Sequence, residues 1–141
     1  MKRNYTFTMI KPDAVKANQI GPILAVINNA GFRIVAMHLT RLSFEDAKIF
    51  YAVHVGKPFY IPLCEFMSSG PIVAAILMKQ NAIVDYRALI GKTNPAEAEE
   101  GTIRKMFATS LQHNAVHGSD SVKAVAFESS FFFAEREHFE V

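Results

Sequence analysis

The chain has a single cysteine, Cys64, so it can form no internal disulfide, which fits a reducing compartment. It also lacks charge of one sign. Fifteen Lys+Arg stand against thirteen Asp+Glu, a net charge of +2. That is too small for a nucleic-acid stripe or a polybasic membrane anchor, so any bound anion must be held by a local cluster. No stretch approaches the roughly 18 consecutive apolar residues of a transmembrane helix. The N-terminal "MKRNYTFTMIKPD" is interrupted by Lys11, Pro12 and Asp13 before a signal-peptide core could form. Internal repeats, low-complexity tracts and heptads are missing too. The expected location is the cytoplasm.

What is present is 141 residues, half of them hydrophobic, enough for one domain with a real core and with no obvious place to divide it. We expect a single domain over 1–141. Strand and helix patterns alternate. "YTFTMI" sets Tyr5, Phe7 and Met9 on one strand face, and Pro12 ends that strand. Asp13 is expected to cap the following helix, which should pause at Gly21-Pro22 and resume to Gly31. "FRIVAMHLT" is apolar on both sides, as in a strand covered on each face. Ser43, with Asp46 three residues on, suggests a cap for a helix reaching about Ala52.

A turn-rich "GKPFYIP" leads into a short helix before Ser69-Gly70-Pro71, and "IVAAILM" at 72–78 reads as the central strand. Asn81 should cap a helix over 82–90 that Gly91 ends. A loop follows from Lys92 to Gly101, then a short helix around "TIRKMFATSL". A short strand comes next, and a last helix runs from Val122 to about Phe132, capped by Ser121 or Asp120. The alternation points to an α/β or α+β sandwich on one central sheet.

The stretch "HNAVHGSDS", 113–121, asks for a chemical reading. His113 and His117 are spaced for a metal only if they share a helix face, yet Gly118 argues for a turn and no cysteine completes a zinc set. Ser119 could be a nucleophile with His117 as base, but "HGSDS" lacks the second glycine of a nucleophile elbow. The third option makes His117 itself the nucleophile. Neutral imidazole is available near pH 7, nearby cations favour it further, and histidine can carry a covalent intermediate. Phosphoryl transfer asks mainly for positioning and positive charge, and Lys11, Arg87 and Arg104 offer that charge.

Four separated segments, "MIKPDAV" (9–15), "PFYIPLCEFMSSGPIVA" (58–74), "RALIGKTNPAEAEEGTIR" (87–104) and "NAVHGSDSV" (114–122), resemble the nucleoside diphosphate kinase family. The resemblance runs from about Tyr5 to Phe133 and keeps the family's order and spacing. It implies an α+β fold, a ferredoxin-like antiparallel sheet covered by helices, with extra helices and a long loop before the catalytic histidine. It also implies a ping-pong reaction in which ATP phosphorylates the enzyme and the phosphoenzyme passes the group to another nucleoside diphosphate.

On that resemblance His117 is the phosphorylated histidine, and Ser119 with Glu128 orients it. Lys11 reaches phosphate and the sugar hydroxyl. Arg87, Thr93 and Arg104 hold phosphates, Tyr51 lies near the transferred group, and His54 contacts phosphate. Asn114 binds the ribose 3′-hydroxyl. Phe59 stacks on the base with Leu111 as its apolar neighbour, which implies broad base specificity because every base has a π-face. Mg²⁺ is implied as the cofactor, held by nucleotide phosphates with no protein metal ligands.

The implied partners are nucleoside tri- and diphosphates and further copies of the chain in a homo-oligomer, tetramer or hexamer, with no membrane and no specific nucleic acid. Ser129 and Ser130 depart from the family's apolar pattern in the last helix. His113 carries no assigned chemistry, and Cys64 reads as a core or interface residue. A second hypothesis is a nucleotide-binding module on the same fold that has lost turnover.

Overall fold

The computed structural model describes residues 2–140. Four strands form one sheet: β1 (Tyr5–Ile10), β2 (Arg33–Thr40), β3 (Ile72–Met78) and β4 (Val116–Gly118). Their order is β2-β3-β1-β4 and every pairing is antiparallel. This is the expected α+β, ferredoxin-like arrangement. The continuous apolar run of β3 has its reason in the layers. Ile72, Ala74 and Ile76 enter the core on one face, Val73, Ala75 and Leu77 the core on the other, so alternation of side chains leaves no position for a polar residue.

The first face is covered by α3 (Phe44–Phe50), α4 (Tyr60–Met67) and α7 (Val122–Phe132). It packs Phe7, Met9, Phe50, Met67 and Phe133, with Cys64 fully buried among them. The second face carries α2 (Ile20–Asn29), α5 (Ala82–Ile90) and α6 (Ile103–Phe107). Ile10, Ile23, Ile27, Tyr86, Ile90 and Ile103 fill it. Ser43 Oγ accepts from the Asp46 amide and Ser121 Oγ from the Ala124 amide, so both serine caps hold as expected.

Elsewhere the structure departs from expectation. Asp13 does not cap. It is the second residue of α1 (Pro12–Lys16), behind the cap position Lys11. Its Oδ2 instead accepts from the Ala115 amide at 3.1 Å. The helical pause falls at 17–19, where Asn18 takes φ 61°, and Gly21 and Pro22 lie in the first turn of α2. Asn81 takes φ 54° and its side chain makes no cap bond. Residue 91, the glycine at φ 85°, does end α5.

β2 is a sheet edge, so its covering is incomplete: Met37 is 49% and Leu39 68% exposed. Its bulge between Ile34 and Ala36 leaves the Val35 carbonyl to accept from the Phe139 amide at 2.7 Å, which lays the C-terminal tail on that edge. His38 Nε2 pairs there with Glu137 at 2.8 Å. The serines at 129 and 130 do not interrupt α7. Ser129 is buried with its hydroxyl unpaired among the described residues, and Ser130 Oγ donates to the Phe127 carbonyl.

Candidate active site

Strand β4 places His117. Its three residues pair with β1, Met9 opposite His117 and Thr8 opposite Gly118, so the imidazole projects onto the same face as Met9. A buried chain fixes the backbone there. Thr8 Oγ1 donates to the His117 carbonyl at 2.7 Å and accepts from the Tyr86 hydroxyl at 2.6 Å. Gly118 lies within the strand and makes no turn, contrary to the sequence reading. It is glycine for room: a Cβ there would lie 3.0 Å from Ile90 Cδ1 and 3.2 Å from the Tyr86 ring.

The segment entering β4 is strained. Ala115 has φ 72°, a left-handed value alanine rarely adopts, and the Val116 amide donates to the Asn114 carbonyl two residues back, which closes a γ-turn. Three bonds hold it: Lys11 N–H donates to the Ala115 carbonyl at 2.8 Å, the Ala115 amide donates to Asp13, and Arg104 Nε donates to the Asn114 carbonyl at 3.3 Å. The turn from β1 into α1, together with Arg104 on α6, thus clamps the residues just before the histidine.

The His117 ring sits among aromatic edges, with Phe50 at 5.7 Å, Phe7 at 6.1 Å and Tyr51 at 6.3 Å between centroids. Its Nε2 lies 2.7 Å from Glu128 Oε1, on α7, and Ser119 Oγ donates to the same oxygen at 2.6 Å. A carboxylate that already accepts from Ser119 accepts from the ring as well, so Nε2 carries the hydrogen and Nδ1 presents its lone pair. Ser119 is fully buried and acts on the ring only through Glu128.

A cavity of about 980 Å³ opens in front of this ring. Lys11, Tyr51, His54, Phe59, Arg87, Thr93, Arg104, Leu111, Asn114, His117 and Glu128 all line it. Of the residues expected in the site only Ser119 stands behind its wall. Residues up to 117 positions apart in sequence, Lys11 and Glu128, converge because β1, β4 and the ends of α5 and α6 meet at one edge of the sheet.

Two of the cations there, Lys11 and Arg104, are buried rather than solvated. Lys11 is pushed down from 10.5 to about 8, first by burial and then by Arg104, with Asp13 opposing. Arg104 is lowered to about 10 by burial, with Arg87 contributing in the same direction and Tyr86 against it. Its guanidinium donates to the carbonyls of Gly91, Asn114 and Val116 and keeps N–H groups to spare. Arg87, on the exposed side of α5, reaches the Gly118 carbonyl at 3.5 Å.

Burial and the Glu128 charge push the Tyr51 hydroxyl up, so it stays a neutral donor, and it has no partner among the described residues. Asn114 Oδ1 is likewise buried and unpaired, while its Nδ2 donates to the Leu111 carbonyl at 3.1 Å. Buried polar groups left unpaired beside underused cations indicate a polar, anionic ligand. His54 is lowered by burial, then by Lys57 and His117, against Asp120. Phe59 and Leu111 are 46% and 56% exposed, unlike ordinary core residues.

Sequence reasoning passed over Asp13, Thr8 and Tyr86 as supports, and Asp120, Lys123 and Phe127 as lining residues. Asp120 lay inside the quoted "HGSDS" and could have been singled out. Thr8 and Tyr86 carry no local signal. Among the described residues no group of three or more His, Cys, Asp or Glu could hold a metal, and no helix is long and apolar enough to cross a membrane.

An imidazole oriented by a carboxylate and facing buried cations across a nucleotide-sized cavity is an arrangement suited to phosphoryl transfer. The chain also matches the family model "Nucleoside diphosphate kinase" over residues 4–138. It is 60% identical to a nucleoside diphosphate kinase of Flavobacterium psychrophilum, over 99% of this chain and 100% of that protein. It is 57% identical to the one from Chlorobaculum tepidum, over 94% of each. Among solved structures, the Aquifex aeolicus nucleoside diphosphate kinase superposes with TM-score 0.94 at 40% identity, covering 96% of this chain and 98% of that one. The Halobacterium salinarum enzyme, solved in complex with CDP, superposes with TM-score 0.93 at 35% identity, covering 97% and 91%. The chain belongs to the nucleoside diphosphate kinase family, and it is an enzyme of that class.

Proposed function

We propose that the protein moves the terminal phosphate of a nucleoside triphosphate such as ATP to a nucleoside diphosphate in two steps, with His117 as the carrier. The observation that carries this reading is the His117 Nε2 to Glu128 Oε1 bond at 2.7 Å, which leaves Nδ1 as the free nitrogen of a ring that lines one cavity with Lys11, Arg87 and Arg104. In the first step the Nδ1 lone pair attacks the terminal phosphorus. An N–P bond forms, the bridging P–O bond breaks, and the nucleoside diphosphate departs with the electron pair. Glu128 steadies the positive charge that develops on the ring. The second step is the reverse, with a different diphosphate oxygen attacking phosphorus and imidazole leaving.

The remaining residues bind and position. Lys11, Arg87 and Arg104 take phosphate oxygens, with the hydroxyls of Thr93 and Tyr51 and the His54 ring completing the grip. Because Lys11 and Arg104 are already desolvated and backbone carbonyls hold the Arg104 guanidinium, little reorganisation of these two accompanies the transfer. Asn114 and Lys11 hold the sugar hydroxyl. Phe59 and Leu111 form a slot for the base, and stacking accepts every base.

Mg²⁺ fits this donor set as an ion carried on the nucleotide. Glu128 is taken up by His117 and Ser119, and Asp120 is the exposed carboxylate left in the wall to reach it through water. When bound, the ion supplies charge neutralisation on the phosphates. One sheet joining both apolar layers supports one domain over 1–141. The exposed Met37 and Leu39 on edge strand β2 support a homo-oligomer, tetramer or hexamer. Free Cys64, buried and reduced, supports a cytoplasmic setting.

Initial rates with both nucleotides varied test the two-step scheme. Parallel double-reciprocal lines are expected. Lines that intersect would mean direct transfer between two bound nucleotides and would overturn the carrier role.

A further inference from the structure

The base end of the cavity contains a polar group that stacking does not use. Phe59, Leu63 and Phe66 are spaced four and three residues apart along the start and body of α4, and all line the cavity, so they form one stripe of that helix. Opposite them runs the segment Leu111 to His113, which lines it too. The two walls meet where the His113 ring stacks on Phe66, centroids 4.7 Å apart and planes 15° from parallel. The backbone of His113 is tied down as well. Its amide donates to Ser110 Oγ at 3.0 Å and its carbonyl accepts from the Thr109 amide at 2.9 Å.

The ring nitrogens of His113 have no hydrogen-bond partner among the described residues. A neutral imidazole always offers one N–H donor and one acceptor. A base seated between Phe59 and Leu111 shares its cavity with this exposed imidazole, two residues along the same wall and fixed by stacking on Phe66. Adenine and guanine share one acceptor on the edge that pyrimidines lack, N7. We infer that His113 donates to purine N7 and gives the enzyme a modest preference for purine over pyrimidine nucleotides at the binding step. The inference rests on the nucleotide-binding reading above and refines its broad base tolerance. His113 does not touch the reacting phosphate, so its effect belongs to affinity and leaves the transfer rate alone.

The test is calorimetric dissociation constants for ADP, GDP, 7-deaza-GDP, CDP and UDP, with wild type and His113→Phe, which keeps a ring against Phe66 but has no donor. His113→Phe should weaken ADP and GDP by roughly three- to tenfold, the net worth of one hydrogen bond. CDP, UDP and 7-deaza-GDP should be unchanged, and His113→Gln, which restores an N–H donor, should recover part of the loss. Equal weakening of all five ligands would make His113 a purely structural residue and overturn the inference, as would no change in any. Labelling of His117 by γ-labelled ATP, run alongside, reads the transfer reaction separately. Unlabelled protein with base-dependent affinities intact would sink the two-step reading and leave His113's role standing.

Discussion

Replacing Lys11 with methionine should make the nucleotide-free protein more stable and a worse enzyme. In the native fold Lys11 is 7% exposed, and its pKa is lowered from 10.5 to about 8. At about 1.4 kcal/mol per unit, holding this group charged at pH 7 costs the fold on the order of 3 kcal/mol. Methionine keeps most of the length as an unbranched apolar chain, one atom shorter, and removes the charge. The sign follows from linkage. Between pH 8 and 10.5 the unfolded chain binds the proton that the folded chain has lost, so wild-type stability rises with pH across that window and is lowest below it.

The assay is a thermal melt at fixed protein concentration, with and without nucleotide, from pH 7 to 10.5. Lys11→Met should melt higher than wild type at pH 7, by roughly 5 °C or more given a few degrees per kcal/mol for a domain of this size. The difference should shrink as pH approaches 10.5. The nucleotide-induced rise in melting temperature should be much smaller in the variant. A variant that melts lower than wild type at pH 7, or a wild type whose stability does not rise above pH 8, would refute the claim that burial of this cation is an unfavourable term retained for phosphate binding.

Three further outcomes rest on the same geometry. Glu128→Gln leaves the shape but lets the ring adopt either tautomer, so kcat should fall on the order of 10²–10⁴-fold with nucleotide affinity nearly unchanged; a kcat within a factor of three of wild type would remove Glu128 from the mechanism. Gly118→Ala brings a Cβ to 3.0 Å from Ile90 Cδ1 and should cost about 1–3 kcal/mol in denaturant unfolding, whereas a turn-forming role at φ > 0 would leave the Ile90 contact irrelevant and Ile90→Ala unable to rescue it. Phe59→Ala should raise KM for purine and pyrimidine nucleotides by a similar factor, on the order of ten or more, because stacking is worth about 1–3 kcal/mol per base; a loss confined to one base would contradict the stacking account.

Much of this was legible locally. Ser43 and Ser121 cap where their side chains predict, since capping is settled within three residues. The apolar run 72–78 is the buried strand it resembles, and 82–90 is the helix with Gly91 at its end. What could not be read were decisions made by distant partners. Asp13 looks like a cap but is recruited by the Ala115 amide, and Pro12 already fills the first helical position. Gly118 looks like a turn because glycine often is one. Its real constraint is the space taken by Tyr86 and Ile90 across the sheet.

The apolar faces of "FRIVAMHLT" suggested covering on both sides. β2 is instead an edge strand, with Met37 and Leu39 left open. His117 and the cations Lys11, Arg87 and Arg104 were legible as a candidate phosphoryl-transfer set from their chemistry, but the other site residues were legible only through the family resemblance, since nothing local distinguishes Phe59 from a core phenylalanine. The exposure of that ring, the unpaired Tyr51 hydroxyl and the three carbonyl bonds of Arg104 add physical reasons that no motif supplies.

The central claim is that His117 carries the phosphate, and the most direct measurement is isolation of the phosphoprotein. Incubated with γ-labelled ATP and Mg²⁺ and stripped of nucleotide, the protein should hold acid-labile, base-stable label that maps to His117 and is discharged completely by GDP, yielding labelled GTP. His117→Ala should take up none. Label that survives in His117→Ala, or that GDP fails to remove, would contradict the account.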